Sequence, residues 1–519
     1  MPISRRTFAQ ALSVAGLAAA TRQLTEAQTG GIFQHGVASG DPLLNRVILW
    51  TRVTTNRPDD LIQVEWTISE DSSFRTVWQR GITYTSANYD YTVKVDVPRL
   101  NPGTTYYYRF SALGSFSPIG RTKTLPIGST TSMRFAVASC SNLPYGYFNA
   151  YRLIANRQDL DCVLHLGDYI YEYGNGDYGD GTRLGRVPIP NKECTTLSDY
   201  RQRYAQYRSD PDLQEAHRQH PWIIVWDDHE TANNSWTDGA ENHTPATEGA
   251  WNARRAVGTQ AWFEWLPVRE NAFLDSQIYR TFRFGNLADL MMLDTRLAGR
   301  SQQVLENSPL VADPTRTLLG SEQESWFYRE LSVSQNRGTQ WRLIGQQTMM
   351  GQLLGADGSP FSADQWDGYI VSRNRFLGYL GANSVNNVVV LSGDIHSSWG
   401  NEIAPNPFTG SYVSQAVEFV GPAVTSPAIE DPAQAAGLQA QIGASHPHVK
   451  YVDLNHRGYM LVDIDKNRTQ CEWYHMRTIL ERRAEEDLGR TMQVAAGSTK
   501  LVAASSPSRA RTNPAPFAP

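Results

Sequence analysis

Two hydrophobic rhythms divide the chain. From about residue 30 to 128, apolar and polar positions alternate in short runs: VILWTRV, IQVEWTI, TVWQRGITY, YTVKVDV and TYYYRFSAL. Gly, Pro, Asn and Asp turns separate them. Successive side chains of a strand point to opposite faces, so this pattern predicts half-buried strands folded as an all-β sandwich. After residue 131 the runs become continuously apolar: MRFAVASC, DCVLHLGD, PWIIVWDDHE, LADLMMLDTR, WRLIGQQT and NVVVLSGDIH. Such runs predict strands buried on both faces. Amphipathic stretches fall between several of them, among them LSDYRQRYAQYRSD and WNARRAVGTQAWFEWL, and predict helices and hence α/β layering.

The two ends differ from both rhythms. SRRTFAQ sets paired arginines, Arg5 and Arg6, before the mildly apolar ALSVAGLAAA and the small-residue site TEAQ, with cleavage expected near Ala27. The arrangement resembles a twin-arginine signal, which implies folded export through that translocase to the periplasm or beyond the cell. No internal apolar run approaches the roughly 18 residues of a bilayer span. The closing AASSPSRARTNPAPFAP is rich in Pro, Ser and Ala and is expected to be disordered. At 519 residues the chain exceeds one core. The expected division is a signal over 1–29, a sandwich over 30–128, a catalytic domain over 129–503 and a tail over 504–519. Within the sandwich, LNPGTTYYYRF resembles the penultimate strand region of fibronectin type III modules.

Composition narrows the function. A formal net charge of −5 gives no nucleic-acid-binding footprint. Four cysteines, Cys140, Cys162, Cys194 and Cys471, exclude a small disulfide framework. One bridge is compatible with an oxidising compartment, and Cys194 with Cys471 is the pair to test. The chain lacks a Gly-x-Ser-x-Gly elbow and a Gly-Lys phosphate loop, which disfavours a serine hydrolase and a nucleotide kinase.

The candidate chemistry sits where apolar runs end. Cys140 closes VASC, Asp168 and Tyr171 lie in GDYIY, Asp227, Asp228 and His229 in WDDHE, and Asp394 and His396 in SGDIH. In an open α/β sheet the carboxyl ends of the strands converge on the ligand crevice. Taken alone, Asp168 and Asp394 read as turns or caps and Cys140 as a small core residue. WDDHE is more specific, since two adjacent acids and a histidine at a strand end rarely serve only packing. Together they would bury several carboxylates at prohibitive cost unless a cation compensates them. Phenolate and thiolate favour ferric iron, and a carboxylate-rich side suits a hard ion such as calcium, or manganese or magnesium. Asp168, by position, would bridge the two, and a pair of metals can generate hydroxide and clamp a phosphoryl group.

The ordered set VASC, GDYIYEY, WDDHETANN, GQQTM, LSGDIHSSW and NHRGYMLVDI, with the opening HGVASGDPLLNRVILWTRV, resembles the PhoD-type alkaline phosphatases. The resemblance covers nearly the whole mature chain. It implies an α/β, four-layer metallo-dependent phosphatase core, two mixed sheets flanked by helices, with an N-terminal immunoglobulin- or fibronectin-like sandwich. It also implies a secreted phosphomonoesterase or phosphodiesterase using metal-bound hydroxide at a binuclear centre of Fe(III) and one or two Ca(II), with Mn, Mg or Zn as alternatives at the second site. Carried over by position, iron falls to Cys140, Asp168, Tyr171 and His396, and calcium to Asp168, Asp228 and Asp394. His229 matches the residue that contacts phosphate and protonates the leaving group beside Asp228.

Asn234, Arg296 and Arg457 are weaker candidates for substrate contact, since loop capping and pairing to carboxylates are commoner fates. His456 reads as a structural histidine and Asp227 as an orienting acid. A phosphate ester is the expected substrate and a monomer the expected state. The alternatives are a phospholipase D or teichoic-acid-type phosphodiesterase, and a secreted binding protein with an inactive metal site.

Overall fold

The computed structural model describes residues 31–56, 60–270, 277–409 and 411–519. The expected signal over 1–29 lies outside them. The N-terminal region supplies β1 (Val37–Gly40), β2 (Arg46–Arg52), β3 (Ile62–Ser69), β4 (Gln79–Thr85), β5 (Thr92–Pro98), β6 (Thr105–Ala112), β7 (Ser115–Phe116) and β8 (Gly120–Lys123). Three buried strands follow: β9 (Ser132–Ala138), β10 (Cys162–His165) and β11 (Pro221–Ile224). Then come β12 (Arg280–Phe284), β13 (Ala288–Met292), β14 (Trp341–Gly345), β15 (Val388–Ser392), β16 (Ser398–Ile403), β17 (Ala416–Val420) and β18 (Val449–Asp453). The last four are β19 (Gly458–Asp465), β20 (Arg468–Met476), β21 (Glu486–Ala495) and β22 (Leu501–Ala503).

These strands form mixed sheets. One has ten strands in the order β22-β21-β20-β19-β9-β10-β11-β1-β2-β5, and a second has seven in the order β12-β13-β14-β15-β17-β16-β18. The two share a core: Phe135 meets Phe284 edge-on at 5.2 Å, and Phe419 meets Trp473 at 5.7 Å. The run LADLMM contributes to both of its sheet's faces, with Leu290 and Met292 in the shared core and Met291 in a separate cluster. Both stretches read as amphipathic are helical, over Leu197–Arg208 and Trp251–Trp265. Helices Asn149–Ala155, Leu197–Arg208 and Pro211–Gln219 place Ile154, Tyr204 and Leu213 in the core of the ten-stranded sheet. Helices Gly320–Asn336 and Ile370–Ala382 place Phe327, Leu331, Phe376 and Leu377 against Met291, Ile344 and Val390.

The sandwich does not stand apart as the sequence pattern suggests. One layer is the five-stranded sheet of β3, β4, β6, β7 and β8, but the facing strands β1, β2 and β5 belong to the ten-stranded sheet. Alternation explains how they serve two cores: Val37, Val47 and Leu49 face the sandwich, while Ala38 and Trp50 face the catalytic core. The junction is the parallel pairing of β1 with β11, Ser39 opposite Pro221 and Gly40 opposite Trp222. A Cβ at Gly40 would lie 2.3 Å from the Pro267 carbonyl oxygen, so only glycine fits there.

One further expectation is corrected, and one open question is answered. Residues 504–519 lack regular structure beyond the sheet's last strand but are docked rather than disordered. Arg121 donates to the Ala515 carbonyl at 2.9 Å, the Tyr107 hydroxyl to the Pro516 carbonyl at 2.7 Å, and the Ala518 amide to Gln219 at 2.9 Å. Polar composition suggested disorder, yet the segment's own backbone finds partners on both the sandwich and the catalytic core. Cys194 and Cys471 form no disulfide, and all four cysteines are free, buried thiols. Cys471 lies within β20 opposite Val462 and Met492, whereas Cys194 is in a loop with its amide on the Glu172 carbonyl.

Candidate metal centre

Parallel pairing of β9, β10 and β11, and of β13, β14 and β15, brings the carboxyl ends of strands from both sheets to one edge of the molecule. The residues just beyond those ends turn abruptly. Cys140 (φ 61°), Asp168 (φ 55°), Asn234 (φ 51°), Asp394 (φ 62°) and His396 (φ 57°) are all left-handed. Non-glycine residues seldom adopt that conformation, and such strain collects at functional sites.

Asp168 is the hub. It shares one potential ligand set with Cys140 and His396, another with Asp228 and His229, and a third with Asp227, Asp228 and Asp394. Within each set the ligand atoms lie within 4.8 Å of one another. The Tyr171 hydroxyl donates to Asp168 at 2.8 Å and stands 3.3 Å from His396 Nε2. Ser426 donates to that hydroxyl at 2.6 Å. His229 Nδ1 is 2.7 Å from Glu172, and the Asn234 amide donates to Asp228 at 2.6 Å.

Arg296 is the cation at the heart of this cluster. Its guanidinium bonds Asp227, reaches Asp364 and Asp394 at 2.9 Å each, and lies 3.8 Å from Asp228. Asp364 also accepts from Arg300 at 2.7 Å. Arg296, a weaker candidate for substrate contact, is therefore engaged with the centre's own carboxylates, the commoner fate. The Asn234 side chain bonds Glu241, and Arg457 bonds Glu430 and the Ser426 carbonyl.

The electrostatics are those of a site short of positive charge. Burial raises the Asp168 pKa well above the carboxylate range, and Asp228, Glu230 and Asp394 add to it against the opposing His229. Asp227 is raised by burial despite Arg296. Burial, then the Asp168 charge, raises both the Cys140 thiol and the Tyr171 phenol well above their usual values. Burial also opposes the charge on Asp228, but Arg296 and His229 outweigh it and hold the group below its ordinary value. For His229 burial acts downward, and Glu172, Asp228 and Asp168 overcome it to bring the pKa to about 10. Asp168 Oδ1 and Asp227 Oδ2 are buried with no hydrogen-bond partner. Orphaned carboxylate oxygens beside a thiol and a phenol fit cations, which would satisfy the oxygens and favour thiolate and phenolate.

Sequence reasoning missed the supports. The Glu230 carboxylate receives the amides of Asp168 at 3.1 Å, Tyr169 at 2.6 Å and Asp227 at 2.8 Å, tying two strand ends together. Glu172 receives the Asn233 amide at 2.8 Å in addition to facing His229. Gln365 bonds Asp394 from a distant loop. Glu172 and Glu230 stand inside quoted motifs, GDYIYEY and WDDHE, and their acidity was the available signal; Gln365 and Asp364 carried none.

Comparison with known proteins finds similar chains over nearly the whole length. The PhoD-like phosphatase family model matches residues 135–473, and the model of the PhoD-like phosphatase N-terminal domain matches 17–126. Alkaline phosphatase D of Bacillus subtilis (strain 168) is 36% identical over 509 residues, spanning 92% of this chain and 85% of that protein. A solved structure of PhoD aligns with a TM-score of 0.84 and 34% identity over 92% of each chain.

Proposed function

The chain belongs to the PhoD-like phosphatases and is a phosphoric ester hydrolase, and from that premise we propose an exported, monomeric enzyme that hydrolyses phosphomonoesters and phosphodiesters at a binuclear metal centre. The observation that carries the reading is Asp168: one buried carboxylate common to three ligand sets, with an oxygen left unpartnered. Cys140, Asp168, Tyr171 and His396 are the residues to hold Fe(III), and Asp168, Asp228 and Asp394 those to hold Ca(II). When bound, these ions supply Lewis acidity toward the phosphoryl oxygens and activate water.

The protein's own groups do the rest. Glu172 fixes the His229 ring through Nδ1, leaving Nε2 as the atom that carries a proton toward the leaving oxygen. Glu230 holds the Asp168 and Asp227 turns in register, and Arg296 keeps Asp227, Asp364 and Asp394 in place. Water attacks phosphorus directly, so a chiral phosphate should be inverted. The core is read as the four-layer metallo-dependent phosphatase arrangement, supported by helices packed on the sheets. Export rests on the twin-arginine pattern at Arg5 and Arg6.

The test is elemental analysis of the exported protein with assays on a monoester, a diester and a phospholipid. Iron and calcium together with ester hydrolysis are expected, and Cys140→Ser should lose iron and activity in parallel. Full iron and full activity in that variant would overturn the iron assignment. Retention of configuration at phosphorus would overturn direct attack. A phospholipid preference would replace the general phosphatase by a phospholipase.

A further inference from the structure

A second set of ligating side chains converges at the end of β18, apart from the buried centre. We propose that Asp453, His456 and His475 form a binding site for a divalent transition ion, zinc(II) by its donor set, that clips the NHRGY turn to β20. Asp453 is the last residue of β18, His456 follows in the turn, and His475 lies on β20 opposite Gly458. One ligand atom from each lies within 4.8 Å of the other two. His456 Nδ1 stands 2.9 Å from Asp453 Oδ2, and the His456 and His475 rings are parallel at 4.6 Å.

The decisive residue is His475. It is 5% exposed, and its Nε2 is buried without a hydrogen-bond partner. A sealed, unsatisfied imidazole nitrogen is destabilising unless something ligates it. The sheet is adapted around this ring. A Cβ at Gly489 would lie 2.3 Å from its Cε1, and the register of β20 with β21 shifts between Trp473 and Tyr474. Burial pushes the His475 pKa down to about 4, so the ring is neutral and ready to coordinate at ordinary pH.

Two imidazoles and one carboxylate suit zinc, with solvent in the fourth position, and fall short of the 6–8 oxygens calcium takes. Tetrahedral zinc needs its ligand atoms about 3.4 Å apart. The His456 side chain is 48% exposed, so its rotation can close the set. In binding, the ion displaces the proton held between His456 and Asp453.

The experiment adds zinc alone to the exported protein with its resident metals in place, followed by calorimetry and elemental analysis. Cobalt(II) difference absorption reports the coordination. The wild type should take up one zinc beyond its resident metals. His456→Ala and Asp453→Asn should weaken that uptake by at least about 10–100-fold, with resident metals and hydrolysis unchanged. His475→Ala should do the same, and the exposed His456→Ala carries the test should that core position fail to fold. No uptake beyond the resident metals, or equal affinity in His456→Ala and the wild type, would overturn the site.

Discussion

The two ends of the ten-stranded sheet gather carboxylates and treat them in opposite ways. At the amino ends of β9 and β10, Asp161 lies between Lys123 at 2.6 Å and Arg511 at 2.7 Å. Asp463 lies between Arg134 at 2.8 Å and Arg468 at 2.9 Å, and Arg134 also bonds Asp159. At the carboxyl ends, Asp227 and Asp228 crowd around Arg296 together with Asp394 from the seven-stranded sheet and Asp364 from a loop, while Asp168 keeps an oxygen with no partner. One end is balanced for stability; the other holds a deficit of cationic charge that ligand binding can use. Charge balance and charge deficit thus occupy opposite ends of one sheet.

The largest expected effect comes from neutralising the hub. Asp168→Asn should lower phosphatase activity by about 1,000-fold or more, roughly 4 kcal/mol of transition-state stabilisation. It should also raise the melting temperature of metal-free protein, because one of several repelling buried acids is gone. Steady-state kinetics and calorimetry on stripped protein read the two signs. A variant that is inactive and less stable without metal would break the contrast between the ends.

The balanced end predicts the reverse. The Asp161 pKa is brought down to about 2: burial acts upward, but Lys123 and Arg511 outweigh it. A carboxylate depressed from the usual value of about 3.9 contributes about 2–3 kcal/mol of folding stability above that pH. The contribution is lost as pH falls toward 2. Asp161→Asn should therefore lower stability by about that much at pH 7, with kcat unchanged. In urea titrations the gap between wild type and variant should shrink between pH 4 and 2. A gap that widens on acidification would reverse the assigned sign.

How far the sequence reveals this contrast follows from where each group sits. Cys140, Asp168, Asp228, Asp394 and His396 are legible because apolar runs end in them and parallel strands deliver their ends to one edge. The two-faced role of β1 and β2 is not legible. Alternation tells that each face is half-buried, but not that β1 pairs with β11 some 180 residues away. Glu230 was hidden because its role is to receive three backbone amides from two loops, a geometry without sequence spacing. Arg296 stood only as a weaker substrate candidate, and its partners were not legible because its four acidic neighbours come from two separate strand ends and a loop. The tail misled through composition, since a Pro- and Ser-rich segment can dock wherever its backbone and a few arginines find complementary groups.

The smallest effect sharpens this last point. Arg511 belongs to the segment expected to be disordered, yet its side chain reaches Asp161 and its amide donates to Asp159 at 3.0 Å. Arg511→Ala removes one of two cations from Asp161 and leaves Lys123 in place, so the carboxylate keeps a partner. The side chain is partly solvated, which limits the loss to about 1 kcal/mol. Backbone bonds from Ala515, Pro516 and Ala518 still anchor the tail. Limited proteolysis should therefore cut the variant's tail faster than the wild type's while hydrolysis is unaffected. Equal cleavage and equal stability would mean that the backbone contacts alone hold the segment, and that the charge balance at this end is carried by Lys123 and Arg134.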